Sequence, residues 1–346
     1  MIAVAALFAL ALQGASAREP GPVVLLGARV ALEAVPELKT AAKRLELRLR
    51  TNEPEPLAVG VLDPKARFAA DARELAKAVL ASERIELGAG SLADWLDVLY
   101  PRRHDSALVT ALIEAHRTGA TLVGRGESAC LVSAAAVAPN AAAMRASSSD
   151  PHDARLPIAV WPLALQPWAL LDEEQRAGGS FERLAFVLER EKLPLGVFLA
   201  ADGALVVRRG EETLHARGPG TSLVLDLRGA RRGSGRISGA RLSLLGDGDR
   251  WIAPRRDAVL ADEIPSSGKA GAAPVQRRKS ALELASLADA LARLSSDAAS
   301  VRVEGEDGSR IELVFDELTT VATDAAGHRR WAEARADVSW NAAAKH

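Results

Sequence analysis

Residues 105–138, DSALVTALIEAHRTGATLVGRGESACLVSAAAVA, decide the fold. The stretch reads as helix, short buried strand, sharp turn and helix. Asp105 and Ser106 supply N-cap side chains, Leu108, Leu112 and Ala115 give the helix one apolar face, and Gly119 ends it. Residues 120–123 predict a short strand. Gly124-Arg125-Gly126-Glu127-Ser128-Ala129 then turns into an Ala-rich helix that Pro139 stops. A serine between a strand end and a helix start has the position of a nucleophile elbow. Its hydroxyl would project, and the first helical N–H groups would stabilise negative charge beside it. An ordinary strand-to-helix loop suits the same pattern.

Working outward, residues 22–26 (PVVLL) predict a buried strand ending at Gly27, and residues 57–62 a second. Residues 69–82 predict a helix with Leu75, Val79 and Leu80 inward. Residues 84–87 predict a third strand, ending at Gly88-Ala89-Gly90. Ser91 and Asp94 form a capping box for the next helix, with Trp95, Leu96 and Leu99 on its buried face. Strands alternating with helices predict an α/β fold on a doubly wound, mostly parallel sheet. Ligand sites in such sheets lie at the carboxyl ends of the strands. Gly27, Gly88, Gly90, Gly126 and Ser128 would share that edge.

Residues 140–156 read as a polar loop, and 157–171 as a strand followed by an irregular, proline-broken crossover. A helix is expected from Ser180 to about Arg190. From Gly196 the pattern changes to short strands, an antiparallel extension finishing the first domain (18–262). Residues 263–279 read as a linker. Ser280 and Glu283 cap a helix lined by Leu284, Leu287, Leu291 and Leu294, and three or four strands follow. Residues 280–346 therefore form a small α+β appendage, or an elaboration docked on the first domain.

The chain has 346 residues, 48% of them apolar, enough for a sizeable core. Its 44 Lys and Arg nearly balance 45 Asp and Glu, which argues against a nucleic-acid-coating protein. Residues 1–17, MIAVAALFALALQGASA, form a short apolar run ending in a small-residue cleavage pattern. They are expected to be a signal peptide, placing the mature chain in the periplasm or outside the cell. No later segment is apolar enough to span a bilayer. The single cysteine, Cys130, excludes an intrachain disulfide and any Cys-based metal site.

The order of these elements, with GRGESAC, LLDEEQRAGGSFERL and PLGVFLAADGALVV, resembles the cyanophycinase branch of serine peptidases, over roughly residues 22–250. The resemblance implies a glutamine-amidotransferase-like (flavodoxin-like) fold. It places Ser128 at the family's nucleophile position, in Gly126-Glu127-Ser128-Ala129-Cys130-Leu131. The family's catalytic histidine falls on Glu174, and its acidic orienter on Ala201. The family's G-G-D-Q turn corresponds to residues 88–92, where Asp and Gln are missing. Gly126, Ala129 and Gly90 are the implied oxyanion and turn residues. One of four functional features is thus kept. A serine hydroxyl is a poor nucleophile without a base in reach, and an ordinary glutamate is a weak one.

Among the six histidines, His152 in the loop after the Ser128 region is the candidate substitute base. His116 is expected near a helix end on the opposite edge of the sheet, and His104 in a loop. No histidine pair has metal-ligand spacing, and no metal or cofactor is expected. Cys130 reads as a small buried residue. Arg228, Arg231, Arg232, Arg236 and Arg241 read as a basic hairpin without stacking aromatics, so no nucleic-acid partner is expected. Three functions follow. The first is an exported peptidase homologue without its triad, binding a peptide or polypeptide. The second is an active divergent enzyme, cleaving aspartyl-linked peptides through an acyl-Ser128 intermediate. The third is a structural or interaction protein acting through its C-terminal region.

Overall fold

A computed structural model describes residues 21–30, 35–38, 43–49, 61–62, 73–88, 90–100, 106–137, 158–160, 166–172, 184–185, 187–189, 192–208, 213–233, 235–252, 257–261, 271–272, 276–278, 298–305, 310–316, 318–323 and 329–339. The expected signal peptide, the linker's ends and the helix expected over 280–294 lie outside the described residues.

The amino-terminal half builds a parallel core. Strands β1 (Val23–Leu26), β2 (Arg44–Leu49), β3 (Val61–Leu62), β4 (Arg84–Leu87) and β5 (Thr121–Arg125) lie in the order β1-β5-β4-β2-β3, all parallel. β1 is apolar at all four positions and fully buried, as a central parallel strand requires. No strand is expected from the sequence over 44–49, yet β2 forms. Its alternating Leu45 and Leu47 point into the core while Arg44, Glu46 and Arg48 stay exposed. Helices α1 (Arg73–Leu80), α2 (Leu92–Leu99) and α3 (Ala107–Arg117) fall where the apolar periodicity puts them, with one correction: Leu75 and Val79 of α1 are buried, but Leu80, expected inward, ends the helix exposed. Ser91 caps α2 by accepting from Asp94 N–H, and Ser106 caps α3 by accepting from Val109 N–H.

The rest of the chain divides between two sheets. A 3-10 segment, Gly126–Val132, leads into β6 (Ser133–Val137), followed by β7 (Ile158–Val160), β8 (Gln166–Asp172) and β9 (Leu195–Leu199). β10 (Ala204–Val207) and β11 (Thr213–Arg217) return to the first sheet, and β12 (Ser222–Asp226), β13 (Arg231–Gly233) and β14 (Arg236–Leu245) to the second. β15 (Arg250–Ile252) and β16 (Asp257–Val259) extend the first sheet again. β17 (Gly271–Ala272), β18 (Gln276–Arg278), β19 (Ala298–Gly305), β20 (Arg310–Val314), β21 (Thr320–Thr323) and β22 (Arg329–Ser339) all join the second.

This is an α/β fold with a mostly parallel centre and antiparallel extensions. Two further expectations are corrected. The Ala-rich stretch after Ser128 is the strand β6, not a helix: Ala135 and Ala136 pair with both β7 and β8 instead of winding on. The strands after Gly196 alternate between two sheets instead of forming one antiparallel extension. The C-terminal strands continue the second sheet, since β22 pairs with β14 along most of its length.

Val23, Leu25, Leu47, Ile85 and Leu122 face one core, shared with α1–α3 and with Val197, Val224 and Leu245 of the second sheet. The opposite face of the first sheet, Val24, Leu26, Val123 and Val206, is covered by Val30, Val35 and Leu38 of the segment after β1. Glu37 pins that segment: its carboxylate takes Arg208 at 3.0 Å and Arg217 at 3.1 Å. Burial works to raise the Glu37 pKa. The backbone hydrogen bond at Glu37 and the two arginines outweigh it and hold the carboxyl below its usual range.

The sheets are joined by a buried ion pair. Asp249, in the turn from β14 to β15, meets Arg330 of β22 at 2.6 Å, and both are almost wholly buried. Asp249 also accepts from the N–H groups of Gly246 (2.8 Å) and Ala261 (2.7 Å). Removing one partner of such a pair strands a buried charge. Arg330→Met is expected to cost about 3–5 kcal/mol in urea unfolding. The double variant Arg330→Met/Asp249→Asn is expected to lose less than that single variant, because the stranded carboxylate is gone.

Candidate functional site

The carboxyl ends of β1, β4 and β5 lie side by side, since Leu26 pairs with Arg125 and Leu87 with Gly124. Gly27, Gly88 and Gly126 therefore follow neighbouring strand ends, as expected. The turn after β5 starts at Gly126, whose φ of 57° lies in the left-handed region that favours glycine. It then folds back against β5 so tightly that a Cβ on Gly124 would lie 2.5 Å from the Ala129 Cα. Ala129 and Cys130 are fully buried in this fold-back.

Three side chains of the turn reach three neighbouring elements. The Arg125 guanidinium donates to the Val30 carbonyl, after β1, at 2.6 Å. Glu127 accepts the Leu92 N–H, the first of α2, at 2.7 Å, where a helix leaves N–H groups without intrahelical partners. The Ser128 hydroxyl accepts the Arg125 N–H at 2.9 Å. Its single proton is shared between the carbonyls of Leu87, at the end of β4 (2.7 Å), and Arg125 (2.9 Å).

Ser128 has no exposed surface, and its hydrogen-bond partners among the described residues are all backbone groups. Of the two readings that the sequence leaves open, a projecting elbow and an ordinary loop, the structure has neither a projecting hydroxyl nor a following helix: Ser128 turns inward in a 3-10 segment that leads into β6. Lys192 is the only described non-glycine residue with positive φ, so the strained backbone of an elbow does not fall on Ser128. Ala129 is wholly enclosed, and Gly90 stands exposed immediately before the Ser91 cap.

The other candidates divide as follows. Glu174 and His152 lie outside the described residues, as do His104, His328 and His346. Ala201, at the family's acidic position, is buried, and its carbonyl accepts from Arg29 N–H at 2.8 Å. His215 is buried on β11 opposite Val206 and Arg250. His116 sits in the last turn of α3, at the end of β5 away from Ser128, as expected. Its carbonyl accepts the Gly21 N–H at 2.8 Å. Its imidazole is buried, and desolvation lowers its pKa from 6.5 to about 4, against a raising hydrogen bond to Ala120. In the basic hairpin, Arg232 donates to the carbonyls of Leu188 and Leu193, and Arg228 clasps Asp226 and lies 5.1 Å from the Trp251 ring centroid. The structural roles of Arg125 and Glu127 are not foreseen from the sequence. Two charged residues alternating with glycine and serine in a tight turn are the signal that carries them.

No family model matches the sequence, and no curated protein matches it. Solved structures do. A peptidase from an acI-B1 Actinobacterium shares 15% identity at a TM-score of 0.44, over 67% of this chain and 96% of its own. A candidate peptidase E protein from Listeria monocytogenes EGD-e shares 14% identity at a TM-score of 0.38, over 58% of this chain and 100% of its own. No described helix is long and apolar enough to cross a membrane.

Two measurements check this geometry. Ser128→Ala removes a buried hydroxyl and leaves the Arg125 N–H and Leu87 carbonyl short of a partner. It is expected to lower the unfolding free energy by about 1–3 kcal/mol. The second concerns pH. Folded His116 stays neutral down to about pH 4, whereas the unfolded chain takes up that proton below about 6.5. The His116 contribution is complete above pH 6.5 and is lost as pH falls toward 4, about 3 kcal/mol in all. His116→Gln is expected to flatten this part of the stability–pH curve.

Proposed function

We propose that this chain is an exported, non-catalytic relative of cyanophycinase-type serine peptidases that acts by binding a polypeptide. The observation that carries the reading is the use made of the Ser128 hydroxyl. A nucleophile needs an oxygen open to substrate and a base to take its proton. Here the oxygen is enclosed, and the proton is committed to backbone carbonyls at the end of a neighbouring strand.

The residues carried over from the resemblance support the same reading. Glu174 stands in place of histidine and Ala201 in place of the acid, and a triad reduced in this way loses on the order of 10⁴–10⁶ in turnover. Ser128 keeps its place because it holds β4 to β5. Export rests on the apolar run of residues 1–17 and its Ala15-Ser16-Ala17 ending.

A fluorophosphonate probe tests the central claim. The folded chain is expected to show no labelling above that of Ser128→Ala. Labelling that disappears in Ser128→Ala would overturn the proposal in favour of a divergent serine peptidase. Export is checked by N-terminal sequencing of the chain recovered from the periplasm or medium, expected to begin at Arg18.

A further inference from the structure

Beyond the part covered by the first sheet, β14, β22 and β20 present a charged face to solvent. Alternation along the strands separates it from the core. Ala336, Val338, Ile311 and Leu313 are buried, while the residues between them reach the other side. Register then sets the charges beside one another. Arg241 stands opposite Arg335, and Arg236 opposite Ser339, which itself stands opposite Arg310. In the hairpin, Arg231 stands opposite Ser238, whose hydroxyl takes the Arg236 Nε–H at 2.9 Å.

Like charges directly opposite each other destabilise a sheet. Carboxylates relieve part of this crowding. Asp316 takes Arg241 at 2.8 Å, Glu312 takes Arg302 and Arg310, and Asp337 accepts the Gly239 N–H at 2.8 Å. Arg231, Arg236 and Arg335 remain exposed and, among the described residues, have no carboxylate partner. The whole chain carries a formal charge of −1, so this surplus is local.

We infer that this face docks an acidic polypeptide segment whose carboxylates pair with Arg231, Arg236 and Arg335. Guanidinium groups match carboxylates in a planar, two-bond geometry. The interleaved Glu312 and Asp337 argue for a polypeptide. They would repel the unbroken phosphates of a nucleic acid, whereas an extended peptide places like-facing side chains about 6–7 Å apart and can leave gaps opposite them. The inference rests on the reading that the chain acts by binding, and it names where and what.

The test is fluorescence anisotropy of a fluorescein-labelled decaglutamate peptide titrated with the full chain at low salt. Saturable binding is expected, weakening as salt rises. The triple variant Arg231→Ser/Arg236→Ser/Arg335→Ser is expected to bind about ten-fold more weakly, from three exposed charge pairs. Should that variant unfold, Arg335→Ser alone is expected to weaken binding about two- to three-fold. Absence of saturable binding, or binding unchanged in these variants, would overturn the inference. So would equal or tighter binding of a DNA duplex or of anionic vesicles through the same arginines. Fluorophosphonate labelling at Ser128 separates the two claims: a labelled serine removes the non-catalytic reading whatever the peptide does, and failure of the peptide alone removes only this surface.

Discussion

The end of β5 and the turn that follows it, Gly124 to Ser128, hold the carboxyl edge of the parallel sheet together. Three polar side chains of the turn each end on backbone of a different element: Arg125 on the segment after β1, Glu127 on the start of α2, Ser128 on the end of β4. These backbone groups lie at a strand end, a helix start and an irregular segment, where no regular ladder supplies their partner, and an unpaired buried polar group is costly. The edge that would hold a ligand in an open sheet of this class is used here to satisfy the fold itself.

A second constraint acts between the sheets. The chain passes from the second sheet to the first at the turn after β14, and Asp249 in that turn is met by Arg330 from β22. Burial raises the Asp249 pKa, opposed by Gly246, Ala261 and Arg330. A pair that pays so much desolvation contributes little net stability, and it penalises any register in which the two do not meet. The pair is therefore best understood as fixing where β22 docks along β14.

Much of the parallel half was legible in the residues. The all-apolar β1, the capping serines 91 and 106, and the glycines closing β4 and α3 each carry a local cause that tertiary packing did not override. β2 escaped because its Leu45 and Leu47 sit among charged neighbours, although their period of two was present. The stretch after Ser128 misled for a physical reason. Alanine favours helix when nothing else acts, but Ala135 and Ala136 lie between two strands that demand a partner. For the site, the serine's place at a strand end could be read. The direction of its hydroxyl could not, because it depends on Leu87, 41 residues away.

The interleaving of strands bears on how the chain comes to be folded. β22, which ends at Ser339, lies between β14 and β20, and through β14 it adjoins strands laid down a hundred residues earlier. Until β22 arrives, β14 presents an open row of backbone donors and acceptors to any passing chain. Contacts of such long sequence separation form slowly. The nascent protein therefore exposes a sticky edge from the completion of β14 until β22 is made, and a helper that shields β14 over that interval would protect it from pairing with other chains.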